Sequence, residues 1–102
     1  MAQSAKEFFD TLESRVDPAK TAGMNNSYVF EIEGAGTWKV EVRDGEVDVT
    51  EGGGDADATI RASEETFGAI ASREENPTTA YMTGKIKIDG DMGAALKLQK
   101  LF

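Results

Sequence analysis

The alternation of apolar and charged residues in the first half of the chain limits its possible folds more than any other feature. It covers residues 28–33, 38–43 and 46–50. Because successive strand residues point to opposite faces, each segment has one apolar face and one largely charged face. The Gly34-Ala35-Gly36 and Asp44-Gly45 turns separate the segments. This predicts a three-stranded antiparallel meander with one face in water and the other covered by helices.

Helical spacing and strand patterns occur on both sides of this meander. Ser4-Ala5-Lys6-Glu7 has the capping-box spacing, and apolar residues follow it at helical intervals as far as Val16. The remaining predicted elements are a Gly-rich crossover at 51–55, a strand at 58–62, a helix capped by Ser63, a short helix starting at Asn76-Pro77, a strand at 85–88 and a last helix after Gly90-Asp91 that carries Leu98, Leu101 and Phe102.

Length and composition favour one small α+β domain over residues 1–102. The chain has 102 residues, enough for a single core. It contains no Cys and no His, which removes thiol nucleophiles, imidazole bases and Cys/His zinc sites. None of the serines lies in a Gly-x-Ser-x-Gly elbow, so we expect no enzyme activity, no cofactor and no metal.

The charge balance argues against a nucleic-acid partner. The formal net charge is −8, which repels phosphate backbones. Residues 85–102 are the exception, with four basic and two acidic side chains. Their Lys85, Lys87, Lys97 and Lys100 either attract an anionic headgroup or form an ordinary solvated surface. The N-terminus lacks the basic and apolar regions of a secretory signal, so we expect a cytoplasmic protein.

The second half of the chain resembles the sterol carrier protein-2 family. The specific part runs through Gly84-Lys85-Ile86-Lys87-Ile88, then Gly90-Asp91-Met92-Gly93, then Ala95-Leu96-Lys97-Leu98, and Asp57-Ala58-Thr59-Ile60 and Asn76-Pro77 agree with it. The resemblance implies a five-stranded mixed sheet with helices over one face. It also implies an apolar tunnel between the layers that holds a fatty acid, fatty acyl-CoA, sterol or other lipid, for binding and intracellular transfer.

If this resemblance extends to the ligand site, the inward apolar residues line the tunnel. The same residues are equally typical of a plain core. Met82 and Met92 are the strongest candidates, because flexible thioethers adapt to varied ligands. The predicted lipid-binding residues are Phe30, Ile32, Trp38, Val40, Ile60, Phe67, Ile70, Met82, Ile86, Met92 and Leu96.

Two other functions remain open at this point. One is a helper module that presents a lipid to a partner enzyme, with transient membrane or enzyme contact. The other is a closed interaction domain of the same fold that takes no ligand.

A calcium site is suggested by four aspartates, Asp55, Asp57, Asp89 and Asp91. They lack the Gly and Glu of an EF-hand, and turns or helix caps explain them better.

Overall fold

The computed structural model describes residues 5–15, 18–72 and 74–97, and these form a five-stranded mixed sheet with helices over one face. The strands are β1 (Asn25–Glu33), β2 (Gly36–Arg43), β3 (Glu46–Glu51), β4 (Ala58–Ser63) and β5 (Ile86–Gly90). Their order in the sheet, β3-β2-β1-β4-β5, confirms the predicted fold class. β1 and β4 are parallel, and the other neighbours are antiparallel.

The strand register places the large apolar residues in rows on the face below the helices. Phe30 of β1 pairs with Trp38 of β2 and with Ile60 of β4, and Ile60 pairs with Ile88 of β5. The period-2 pattern makes these residues neighbours on one face, because paired residues in adjacent strands point the same way. The predicted alternation is therefore the origin of the core layer.

The helices begin where the sequence provides capping groups. Ser63 Oγ accepts a hydrogen bond from Thr66 N–H (3.1 Å), and Asn76 Oδ1 accepts one from Thr78 N–H (2.8 Å), as the sequence predicts. A short helix from Pro18 to Thr21 was not predicted. The helices are α1 (Ala5–Arg15), α2 (Pro18–Thr21), α3 (Glu64–Ala71), α4 (Pro77–Met82) and α5 (Met92–Lys97).

The Gly-rich crossover lies against the outer face of the sheet, which the sequence predicts to be open to water. A side-chain carbon built on Gly53 would lie 3.8 Å from Val29 Cγ1 and 3.7 Å from Thr37 Cγ2. Val29 points to this outer face and is nevertheless buried. The prediction is wrong at Val29, because a long-range connection covers it and no local pattern reports such a cover.

Several predicted features fall outside the described residues. They are the Ser4 cap, Val16 at the end of the first helix, and Leu98, Lys100, Leu101 and Phe102 at the end of the last helix. Within the described ranges, no helix combines the length and the apolar character needed to cross a bilayer.

Candidate functional site

Most of the predicted lipid-binding residues lie in the interior between helices and sheet. This interior is continuous across β1, β2, β4 and the helices above them. The buried members of the predicted set are Phe30, Ile32, Trp38, Val40, Ile60, Phe67, Ile70 and Ile86.

Aromatic rings fill the centre of this interior. Phe9 of α1 stacks on Trp38 with a centroid separation of 4.7 Å and on Phe67 with 5.2 Å. Its ring centroid is also 5.2 Å from that of Phe30. Phe8 packs edge-on against Phe67. Because these rings are in mutual contact, the described residues show a packed aromatic core here, and they do not show a tunnel.

Three predicted site residues do not point inward, and the prediction is wrong for their orientation. Met82 is 79% exposed, Leu96 is 61% exposed and Met92 is 39% exposed. In α5 the buried residues are Ala94 and Ala95, so the small side chains face the sheet. Met92 lies about 60° around the helix from the buried Ala95, and Leu96 lies about 100° from it, so both flank the buried face of α5 and stay at its rim.

An alanine also occupies the buried face of α4. This residue is Ala80, and Met82, two positions further, lies on the opposite side. Alanine allows a short helix to approach the sheet closely, and the long apolar side chains then remain at the rim. The sequence pattern could not reveal this, because Ala and Met are both apolar and either can occupy the buried face.

Three exposed apolar residues, Tyr81, Met92 and Leu96, surround a small cleft between α4, β5 and α5. Its volume is about 30 Å³, roughly the space of one water molecule. Ile86 and Ile88 form its base, so the cleft reaches the edge of the core. Of the predicted set, Ile86, Met92 and Leu96 line it, whereas Met82 does not. The lining residues are Pro77, Thr78, Tyr81, Ile86, Ile88, Met92, Ala95 and Leu96.

A buried tyrosine holds α5 against the sheet. Tyr28 O–H donates a hydrogen bond to the Ala94 carbonyl at 2.5 Å. Burial raises the pKa of Tyr28 well above its ordinary value, and the nearby carboxylates of Asp57 and Asp91 raise it further. The phenol therefore stays protonated and remains a donor at neutral pH.

Two aspartates define the start of α5. Asp91 Oδ1 accepts hydrogen bonds from Gly93 N–H (2.8 Å) and Ala94 N–H (3.3 Å). Asp57 O accepts one from Asp91 N–H at 2.8 Å, and Asp57 Oδ2 accepts one from Ser27 N–H at 2.9 Å. The Asp91 contacts confirm the capping interpretation of that residue, whereas the Asp57 carboxylate binds the backbone of β1. In the described part of the chain, no group of acidic side chains is arranged to hold a metal ion.

The opposite face of the sheet carries an open polar groove of about 740 Å³. It runs beside the β1–β2 turn and over the ends of β4 and β5. Arg61 crosses it and forms ion pairs with Glu31 and Asp89, both at 3.1 Å. The hydrogen bond and charge of Glu31, and then the charge of Asp89, raise the pKa of Arg61. Because this groove is lined by charges, it does not suit an aliphatic chain.

The sequence reasoning missed several residues of the site. Tyr28 was visible as an inward strand residue, but its bond to Ala94 joins positions 66 residues apart. Tyr81 and Ile88 are apolar residues of predicted elements, and only the packing of α4 and α5 makes them neighbours. Phe9 was recognised as part of the first helix, and its central position among the rings was not.

Comparison with known proteins assigns this architecture to a family. Residues 6–102 match the SCP-2 sterol transfer family, and the chain belongs to that family. Hydroxysteroid dehydrogenase-like protein 2 of Xenopus tropicalis is 33% identical over 100 residues, which cover 94% of this chain and 24% of that protein. The chain thus spans about a quarter of this relative, and the likeness is confined to the SCP2 domain.

Solved structures show the same fold. The sterol carrier protein domain 2 of Helicoverpa armigera matches with a TM-score of 0.70 and 28% identity, covering 99% of this chain and 91% of that one. The sec-alkylsulfatase Pisa1 from Pseudomonas sp. matches with a TM-score of 0.83 and 26% identity, covering 98% of this chain and 16% of the enzyme. The fold therefore occurs both in a solved chain of similar length and as part of a larger enzyme.

Proposed function

We propose that this protein binds a hydrophobic ligand, such as a fatty acid, fatty acyl-CoA, sterol or other lipid, at the cleft between α4, β5 and α5, and transfers it without catalysis. The observation that carries the proposal is the rim of exposed apolar side chains, Tyr81, Met92 and Leu96, around a cleft whose base is Ile86 and Ile88. Membership of the SCP-2 family supports the ligand class.

The cleft must widen to admit an aliphatic chain, and α5 is the element that can move. It has six residues and faces the sheet through Ala94 and Ala95. Lifting it exposes two methyl groups and breaks the Tyr28 hydrogen bond, which costs on the order of 2–3 kcal/mol. Burial of each CH₂ contributes about 0.8 kcal/mol, so about four methylenes offset this opening.

This estimate sets an expected chain length. A chain of roughly a dozen carbons also offsets part of the loss of translational freedom on binding. Because about four methylenes only offset the opening, we expect fatty acids of about 12 to 16 carbons to displace a fluorescent fatty acid and an acid of about 6 carbons to displace little of it. Equal competition by all lengths would argue against burial of the chain.

Paired substitutions test the location of the site. Leu96→Gln places an amide in the cleft and should weaken fatty acid binding about tenfold, the equivalent of about 1.4 kcal/mol. Val47→Gln is the matched control, because Val47 is a partly buried apolar residue of β3, at the other edge of the sheet. Similar binding by both variants would place the ligand elsewhere.

Mass spectrometry under native conditions tests whether any ligand binds. Lipid adducts on the purified protein would support the carrier. A clean apo mass, together with no displacement of the fluorescent fatty acid, would favour a closed interaction domain.

A second candidate function is supported by the partial coverage of the relatives. The chain corresponds to 24% of the dehydrogenase-like relative and to 16% of the alkylsulfatase. A domain that occurs within larger enzymes is suited to presenting a lipid substrate to a partner enzyme. Transfer to acceptor vesicles separates the two: a carrier empties into vesicles unaided, and a presenting module retains its ligand until the enzyme is added.

A further inference from the structure

Strand β5 forms one edge of the sheet, because β4 is its only neighbour among the strands of the described residues. An edge strand presents unpaired N–H and C=O groups and can accept another strand. Exposure along β5 increases toward its C-terminal end: Ile86 is buried, Ile88 is half-buried and Gly90 is exposed, so this edge is accessible from Ile88 onward. Which chain could pair here depends on which backbone groups face outward and on the charges beside them.

The hydrogen bonds of β5 establish the outward groups. Asp91 N–H donates to the Asp57 carbonyl at 2.8 Å, in the same register that pairs Asp89 with Thr59. Because antiparallel strands bond through alternate residues, positions 87, 89 and 91 face β4 and the intervening positions face away. The residues whose backbone groups point to the open edge are Ile86, Ile88 and Gly90.

The side chains on the outer face of β5 change sign at its centre. Lys85 and Lys87 precede Ile88, and Asp89 and Asp91 follow it. All four charged residues are exposed. This order is self-complementary, because an antiparallel copy of the segment presents its acidic half to the basic half of the first.

We propose that two copies of this protein pair antiparallel through β5, with the two-fold axis at Ile88. Lys87 then lies opposite Asp89 of the second copy, and Lys85 lies opposite Asp91 of the second copy. The same register pairs Ile86 with Gly90 of the second copy, and both have backbone groups that point outward; because Ile86 is buried in the monomer, its backbone must be uncovered when this pair forms. Charge and hydrogen-bond phase therefore select one register, and the two sheets form a continuous ten-stranded sheet.

Neighbouring registers fail one of these conditions. If the two-fold axis passes through residue 87 or residue 89, the outward backbone groups of the two copies still face each other. Lys87 then lies opposite Lys87, or Asp89 opposite Asp89, and like charges repel. A shift by one residue opposes outward and inward backbone groups. Within β4–β5, Lys87 already lies beside Arg61 and has no carboxylate partner among the described residues. Asp89 of the second copy supplies one.

The apolar face gains from the same pairing. Ile88 meets Ile88 of the second copy, next to the exposed Met92 and Leu96. A second copy therefore covers part of the apolar rim that a monomer exposes to water. This inference does not depend on lipid binding, although it brings the two clefts to adjacent positions along the joined edge.

Charge reversal with mutual rescue tests the proposal. Analytical ultracentrifugation over a concentration series should show a monomer–dimer equilibrium for the wild-type chain. Lys87→Asp and Asp89→Lys, each alone, oppose like charges twice in the dimer and should weaken association about tenfold or more. An equimolar mixture of the two variants restores both pairs, so it should form a heterodimer of near wild-type affinity.

Control variants separate this register from a general effect of net charge. Lys6→Asp on α1 and Glu46→Lys on β3 change the net charge equally, lie away from β5 and should leave association unchanged. Thermal denaturation monitors folding of every variant. Lysines on an edge strand can also prevent its pairing with another strand. A wild-type chain that stays monomeric throughout the concentration series would therefore overturn the proposal. A dimer that either reversal leaves intact, or a mixture that shows no rescue, would overturn it as well.

Discussion

The helices that cover the sheet pack differently over its two halves, the half formed by β1 and β2 and the half that ends at β5. Over β1 and β2, the rings of Phe9, Phe30 and Trp38 are in contact and wholly buried. Over β5, the short α5 faces the sheet through alanines, and Leu96 points to solvent. One side therefore uses its large apolar residues for stability, and the other keeps them at the surface, where they are available for a ligand or a partner.

The largest expected effect comes from removing a ring on the packed side. Phe9→Ala should lower the free energy of unfolding by about 3–5 kcal/mol, because the ring is buried against aromatic neighbours and its loss leaves a cavity. Urea denaturation measures this. A loss below about 1 kcal/mol would mean that the aromatic side is no more tightly packed than the α5 side.

An intermediate effect on the free energy of unfolding is expected at the hydrogen bond that joins β1 to α5. Tyr28→Phe leaves the Ala94 carbonyl without its partner and should cost about 1–3 kcal/mol. It should also speed hydrogen exchange in α5 much more than in the β1–β2 ladder, since the lost bond holds only that helix. Equal acceleration in both regions would contradict a separately opening α5.

High pH should act through the same tyrosine. The folded state raises the pKa of Tyr28 above its ordinary value, so its stabilising contribution is complete below about pH 10 and declines above it. The loss is about 1.4 kcal/mol per pH unit above 10, because the unfolded chain ionises there and the folded chain does not. Urea denaturation of the wild type and of Tyr28→Phe between pH 9 and 11 isolates the pH-dependent contribution of Tyr28 to the free energy of unfolding. If the free energies of the two proteins fall in parallel with pH, Tyr28 makes no such contribution.

The smallest effect is expected at the exposed end of α4. Met82→Gln should change the free energy of unfolding by no more than about 0.5 kcal/mol, because the side chain is 79% exposed. A cost comparable to that of Phe9→Ala would show that Met82 is buried in solution, and the comparison between the two sides would fail.

The success of the sequence analysis varied with the range of the interactions involved. Hairpins, helix caps at Ser63 and Asn76 and the alternation of β1 to β3 depend on neighbouring residues, and these were predicted. The inward orientation of Met82, Met92 and Leu96 was predicted wrongly, because the alanines of α4 and α5 occupy the buried face instead. Hydrophobicity alone does not distinguish the two arrangements.

The amino-acid sequence by itself determined the α+β class and the family likeness. It also determined which face of the meander is apolar and which is charged, since a period of two residues is a local property of the chain. The tertiary structure decided which apolar residues became core and which became rim. It closed the aromatic interior around Phe9, covered Val29 with the crossover and joined Tyr28 to Ala94. These outcomes depend on the surface that a distant segment covers, and that information exists only once the segments pack together.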